Sequence, residues 1–285
     1  MKGTYMKIYL GIDAGGSAVK LIASDENMKI YGREVYPSDG SPERLEEEAK
    51  KLISRSGLSV TDIAGTAVTG VGASCAGKAF LGTRTKLFSE FECFGRGGQY
   101  LSGHNKALVV SMGTGTAFVR ADGAKYTHLG GSGVGGGALS GLSELLTGVK
   151  SSEEVNEMIS RGNAANVDLT VGDICPDGSS GLADDVTAAN FGKKSISRDK
   201  NDIAAGLANM IFQTAGVMAA LACKGTDIEH TVFVGAMSDI PEGKAILRAV
   251  GALHGADFCV PEGGAYAGAI GAVLSMINIA PPINY

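Results

Sequence analysis

Apolar residues along the chain fall in short runs broken by glycine clusters. Lys7 to Asp13 reads as a buried strand, and after Asp13-Ala14-Gly15-Gly16-Ser17 the stretch Ala18 to Ala23 is apolar and β-prone again. Strand, turn, strand is a hairpin. A dinucleotide fold or a P-loop would start a helix directly after the glycines, so the pattern argues against both. A third strand is predicted over Lys29 to Tyr36. Ser41-Pro42-Glu43 then opens a charged helix through Ser54, with Ser at the cap and Pro in the first turn. Ile63 to Thr69 predicts a strand ending in Gly70-Val71-Gly72. Thr85 to Glu92 predicts another, leading into a glycine loop at Gly95-Arg96-Gly97-Gly98.

The motif then repeats. Ala107 to Met112 is an apolar strand, Gly113-Thr114-Gly115-Thr116 a turn, and Ala117 to Arg120 resumes the strand. Two such units, each opening one half of the chain, imply an α/β protein of duplicated, two-lobed architecture with a ligand cleft between the halves. The division is set at residues 6–105 and 106–285, with room for the last helix to pack back on the first lobe; residues 1–5 are set aside as an extension before Met6. Helices are expected over Ala138 to Leu146 and Glu153 to Ile159, and Thr231 to Val234 is a strand ending at Gly235. Glu262-Gly263-Gly264 and the small residues after it lead into a final, closely packing helix. Ala204 to Cys223 is uncharged and long enough to span a bilayer. Its Ala, Gly, Asn209, Gln213 and Thr214, and the lack of a flanking basic cluster, favour a helix buried in the protein.

Composition narrows the function. Hydrophobic residues are 44% and charged residues 19% of the 285, ordinary for a globular enzyme. The net charge of −5 gives no general attraction to nucleic acid or anionic membrane, so phosphate must be held locally. The 43 glycines, gathered in clusters, suggest several ligand-binding turns. The five cysteines lack CxxC spacing, which fits a reduced, cytoplasmic setting.

The two turns carry the candidate chemistry. Asp13 stands at a strand end beside Gly15, Gly16 and Ser17, where backbone amides can face phosphate oxygens while the carboxylate holds hydrated Mg²⁺. Gly113, Thr114, Gly115 and Thr116 supply a second such cradle. Lys20 can neutralise phosphate charge, although a strand Lys on a solvated face is commoner.

These motifs, in the order Gly11-Ile12-Asp13-Ala14-Gly15-Gly16-Ser17, Phe88-Ser89-Glu90-Phe91, Gly113-Thr114-Gly115-Thr116, Gly130-Gly131-Ser132-Gly133-Val134-Gly135-Gly136-Gly137, Asp185-Val186-Thr187-Ala188-Ala189-Asn190-Phe191-Gly192 and Gly264-Ala265-Tyr266-Ala267-Gly268-Ala269-Ile270-Gly271, resemble those of the type II pantothenate kinases. That family belongs to the actin-like ATPase and sugar kinase superfamily. The resemblance implies mixed sheets flanked by helices, ATP and Mg²⁺ as cofactors, pantothenate as substrate and a homodimer. It implies that Gly135, Gly136, Gly137 and Gly235 line the nucleotide pocket, and that His128, Gly130 and Arg96 face the substrate. Strand spacing alone leaves Glu90 and Glu92 equivalent as the carboxylate that accepts the hydroxyl proton; the resemblance selects Glu90.

One position departs from the family: His128 stands where an Arg usually precedes the Gly-Gly. Arg is a permanent forked cation and His is mostly neutral near pH 7, so activity is expected to be lowered, pH-sensitive or redirected if that position meets the substrate. No second His or Cys has ligand spacing to His128, which argues against a metal there. Arg96 has a plainer reading as a solvated loop Arg. Two alternatives stand beside the pantothenate reading: a kinase of the same fold acting on a sugar, an N-acetylated sugar or a pantothenate analogue, and a regulatory ATP- or acyl-CoA-binding protein.

Overall fold

The computed structural model describes residues 7–281; Met6 and the extension before it lie outside them. Two five-stranded sheets of the same internal order account for the fold. The first is built from β1 (Ile8–Ala14), β2 (Ala18–Asp25), β3 (Ile30–Pro37), β4 (Ile63–Thr69) and β5 (Thr85–Leu87), with α1 (Pro42–Arg55) between β3 and β4. Their order is β3-β2-β1-β4-β5: an antiparallel meander, then two strands parallel to β1.

Helix α2 (Glu90–Ser102) leads to β6 (Lys106–Met112), β7 (Thr116–Asp122) and β8 (Lys125–Ser132). Next come α3 (Gly136–Thr147), α4 (Ser152–Arg161) and a small ribbon of β9 (Leu169–Thr170) and β10 (Thr187–Ala189) enclosing α5 (Val171–Ile174). The chain ends in α6 (Lys200–Cys223), β11 (His230–Val234), α7 (Pro241–His254), β12 (Asp257–Cys259) and α8 (Ala267–Ile277). The second sheet runs β12-β11-β6-β7-β8, the same meander with two added parallel strands.

Each sheet buries one face under helices of its own half. On α1, Leu45, Ala49, Leu52 and Ile53 recur at helical spacing and pack beneath β1 and β2. On the second sheet Leu207, Ile211 and Phe212 of α6 meet Leu108, Val110 and Met112 of β6. Helix α6 is long and apolar enough to cross a membrane by length and composition, yet 61% of its most apolar window is buried inside the fold. Its small residues explain this: a side chain at Gly216 would press on Val250 of α7, and one at Gly206 on Val167.

The other faces are joined by an exchange. Helix α2, from the first half, packs on β6, β7 and β8, whereas α8, the last helix, packs on β1 and β4. The two helices cross antiparallel, and glycines set the approach. A Cβ on Gly97 would overlap the Ala267 carbonyl, and one on Gly271 the Cys93 carbonyl. Glycine within a helix costs about 1 kcal/mol relative to Ala, offset here by backbone contact no larger residue allows.

This corrects two expectations. The strand expected over Thr85 to Glu92 stops at Leu87, because Ser89 adopts the extended N-cap conformation and Glu90 and Glu92 form an acidic first turn of α2. Gly95 to Gly98 form no ligand loop; they lie inside α2.

Candidate active site

Asp13 lies near the end of β1, directly across the antiparallel ladder from Lys20 of β2. Both are buried, at 3% and 8% exposure, contrary to the solvated Lys the sequence suggested. Burial pushes the Asp13 carboxyl above its ordinary range, and the Lys20 charge opposes that rise. Asp13 Oδ1 is buried with no hydrogen-bond partner. Space for the carboxylate is made by Gly268 in the first turn of α8, where a Cβ would come 2.5 Å from Asp13 Oδ2.

The two glycine turns meet above this pair. Gly15 N–H donates to the Ala18 carbonyl (3.1 Å) and closes the first turn; Gly113 N–H donates to the Gly115 carbonyl (2.9 Å) and closes the second. Ser17 Oγ and Thr114 Oγ1 share a hydrogen bond of 2.7 Å, one hydroxyl from each turn. A side chain at Gly16 would lie 3.8 Å from Thr114 Oγ1. The turns that open the two halves therefore face each other across the candidate crevice.

Each crevice wall rests on an equivalent glycine. Gly70 after β4 (φ 95°) crosses the end of β1, and Gly235 after β11 (φ 93°) crosses the end of β6. A side chain at Gly235 would stand 2.6 Å from the Met112 carbonyl and would strain a left-handed backbone. The Gly130–Gly137 segment buttresses the second turn. Gly136 and Gly137 N–H groups donate to the Gly113 and Thr114 carbonyls, both at 2.8 Å, and Thr116 Oγ1 donates to the Val134 carbonyl at 2.8 Å. Gly130 sits at an irregularity in the β7–β8 register.

Glu90 is the first residue of α2 and partly buried. Its carboxyl is raised above the ordinary range by burial and by the Asp13 charge, with Lys20 pulling the other way. It therefore shares the electrostatic field of the Asp13–Lys20 pair. Glu92, two residues on, turns to the other side of the helix, where it accepts from Ser275 Oγ (3.2 Å) and approaches Arg96 (3.7 Å). The helix thus separates two acids that a strand would have left equivalent. Phe91 stacks on His128 of β8, rings parallel and 3.9 Å apart, and sets the exposed His beside the Glu90 turn.

Arg96 corrects the loop expectation. Its side chain is 12% exposed and lies over the Tyr126 ring. Nη1 donates to the Leu274 and Ile279 carbonyls at the end of α8, both at 3.3 Å. Capping the helix accounts for this Arg without a ligand.

The sequence reading missed Asp168, which is 1% exposed and organises the Thr187–Phe191 segment. It accepts from Phe191 N–H (2.7 Å), Asn209 Nδ2 (2.7 Å) and Asn190 Nδ2 (3.3 Å), while Thr187 Oγ1 accepts from Asn209 and Gln213. Nothing in the local pattern around Asp168 marks it, because its partners come from α6 and the residues after β10.

Two facing turns, a buried carboxylate paired with Lys and a second carboxylate of raised pKa form a setting for phosphoryl transfer, which asks for positioning and charge stabilisation. The profile of the Fumble family matches residues 101–275, and that of the BadF/BadG/BcrA/BcrD ATPase family residues 10–153. A type II pantothenate kinase of Oceanobacillus iheyensis is 31% identical over 93% of this chain and 98% of its own length. One from Bacillus cereus is 28% identical over 81% and 84%. Among solved structures, component A of the (R)-2-hydroxyglutaryl-CoA dehydratase of Acidaminococcus fermentans superposes with a TM-score of 0.66 at 16% identity, covering 95% of this chain and 98% of that one. A glucokinase of the ROK family from Streptomyces griseus gives 0.57 at 14%, covering 93% and 97%. At such identities these two likenesses bear on the fold alone, which is that of the actin-like ATPases.

Proposed function

Because the chain belongs to the family of the type II pantothenate kinases, we propose that it transfers the γ-phosphoryl group of ATP to the primary hydroxyl of pantothenate, the first step of coenzyme A synthesis. It is a phosphotransferase with an alcohol group as acceptor. The observation that carries the site assignment is the 2.7 Å contact between Ser17 and Thr114 above the buried Asp13.

Nucleotide phosphates enter between the two turns, separating Ser17 from Thr114 and taking up their hydroxyls and the turn amides as donors. Lys20, across the ladder from Asp13, supplies positive charge below the first turn. Glu90 accepts the proton of the substrate hydroxyl as that oxygen attacks the γ-phosphorus and ADP leaves. A raised pKa suits this base, since a stronger base within reach of neutral pH takes the proton more readily. Asp13 fits a hard cation: its unpartnered Oδ1 is an oxygen donor in a buried site. Mg²⁺ held there supplies charge neutralisation for the transferring phosphoryl group.

His128 and Phe91 form the wall beside Glu90 against which the substrate lies in this reading. The free cysteines fit a reducing compartment, and the cytoplasm is the location we infer. A homodimer belongs to the same reading; exposed Leu145 and Leu146 on α3 and Leu221 on α6 are apolar surface it would cover.

A coupled assay of ADP release tests the reaction, with pantothenate, glucose, N-acetylmannosamine and a pantothenate amide as acceptors. Turnover with pantothenate above the other acceptors is expected. Folded protein that releases no ADP with pantothenate would overturn the proposal.

A further inference from the structure

Three residues far apart in sequence meet at the end of the second sheet remote from the crevice. His104 follows the C-cap of α2, His230 opens β11 and Asp257 opens β12. One ligand atom from each lies within 4.8 Å of the others, among the described residues. His230 Nδ1 and Asp257 Oδ2 are 2.6 Å apart, and the His104 and His230 rings stack at 3.8 Å, inclined by 12°. The topology enforces the meeting. Strands β6, β11 and β12 are parallel neighbours, so their starts share one edge, and His104 enters that edge two residues before β6.

We propose that His104, His230 and Asp257 form a binding site for a divalent transition metal, with Zn²⁺ the best match. Two imidazoles and one carboxylate make a borderline N/O donor set that suits Zn²⁺, Co²⁺ or Ni²⁺ better than Mg²⁺ or Ca²⁺, which prefer all-oxygen shells. Ligand atoms on a tetrahedral Zn²⁺ stand roughly 3.4 Å apart, so binding needs the His230–Asp257 contact to open slightly and the His104 ring to turn out of the stack about χ2, a broad torsion of low cost. Binding would displace the proton of the His230–Asp257 hydrogen bond and leave both atoms as ligands. The cations at the same edge, Lys106 and Arg120, are engaged by Asp122 and Asp227 and do not occupy the site.

The position makes this ion distinct from the catalytic one. Strand β6 separates His104 from the Gly113–Gly115 turn, and its seven residues span roughly 20 Å. A metal here ties the end of α2, the helix that passes from the first sheet to the second, to two strands of the second. Its effect is on the stability of the α2 anchor and not on the transferring phosphoryl group.

The test uses the full chain stripped of metal by chelator. Zn²⁺ is titrated in competition with a chromophoric chelator, Co²⁺ is followed by its visible ligand-field bands, and melting is recorded with and without one equivalent of Zn²⁺. The parent is expected to bind one Zn²⁺ that His104→Ala and His230→Ala each lose or weaken by at least about tenfold. Zinc should raise the parent's Tm and leave the variants' unchanged, while Mg²⁺-supported turnover stays at the parent level in both. Asp257→Asn, at an exposed side chain, should also weaken binding and serves if a histidine variant folds poorly. Zinc stoichiometry and affinity equal in parent and all three variants, or no zinc bound by the parent, would overturn the site.

Discussion

Lys20 lies directly opposite Asp13 across the β1–β2 ladder, and both are sealed from solvent. Burial raises the carboxyl pKa of Glu90, the proposed base, the Asp13 charge raises it further and Lys20 lowers it, so the pair sets part of the field there. A general base is active once deprotonated, so activity rises with pH through that pKa. Lys20→Met removes the lowering influence, so the acid limb of kcat/KM should move to higher pH. Glu90→Gln should remove the limb and cost about a hundred- to ten-thousand-fold in kcat. A pH–rate profile of the three proteins decides this; an unmoved limb in Lys20→Met would separate Glu90 from the pair.

Ser17 and Thr114 join the two halves through exposed hydroxyls. Ser17→Ala or Thr114→Ala should raise the KM for ATP by about three- to tenfold, the worth of a hydrogen bond of roughly 0.5–1.5 kcal/mol. Tm should stay nearly constant, because no buried group loses a partner. Initial rates at varied ATP and a melting curve are sufficient.

Gly271 touches the Cys93 backbone where α8 crosses α2. Gly271→Ala forces a methyl into a carbonyl that cannot move alone, so the cost is of the overpacking kind, about 1–3 kcal/mol. Differential scanning calorimetry should show Tm lower by several degrees. An unchanged Tm would mean that the helices pack less closely than described.

His128 stands on Phe91 beside the proposed base. If this wall meets pantothenate, His128→Arg supplies a permanent forked cation and should raise kcat/KM for pantothenate about tenfold, equivalent to roughly 1.4 kcal/mol of transition-state binding. His128→Ala should lower it. Identical substrate preference in all three proteins would place the substrate elsewhere.

Asp168 holds the Thr187–Phe191 segment onto α6 through three donors. Asp168→Ala takes the acceptor from Phe191 N–H and one of two acceptors from Asn190 and Asn209, which keep Gln213 and Thr187, at about 1–3 kcal/mol for a group left unsatisfied. Chemical denaturation should register a loss of about that size.

Strands β1, β2, β4 and β6, helix α1 and both glycine turns were legible because each is written in neighbouring residues: a run of apolar side chains, a break at glycine, a cap followed by proline. The places of Asp13 at a strand end and Thr114 in a turn were legible for the same reason. The segment from Phe88 to Gly98 was not. Its glycines look like a loop until α8 is placed against them, since a helix rich in glycine is stable only when another backbone occupies the space. Arg96 likewise resembles a loop Arg until the carbonyls of Leu274 and Ile279 arrive, and Lys20 a solvated one until the folded chain buries it opposite Asp13.

The sequence by itself determined the duplicated strand–turn–strand plan and the residue types at the two glycine turns, because period and turn chemistry act over a few residues. Tertiary structure alone decided which acid faces Asp13, since Glu90 and Glu92 part company only when their segment becomes helical. It also decided that His104, His230 and Asp257 share one edge, for parallel strands align their starts irrespective of the chain between them.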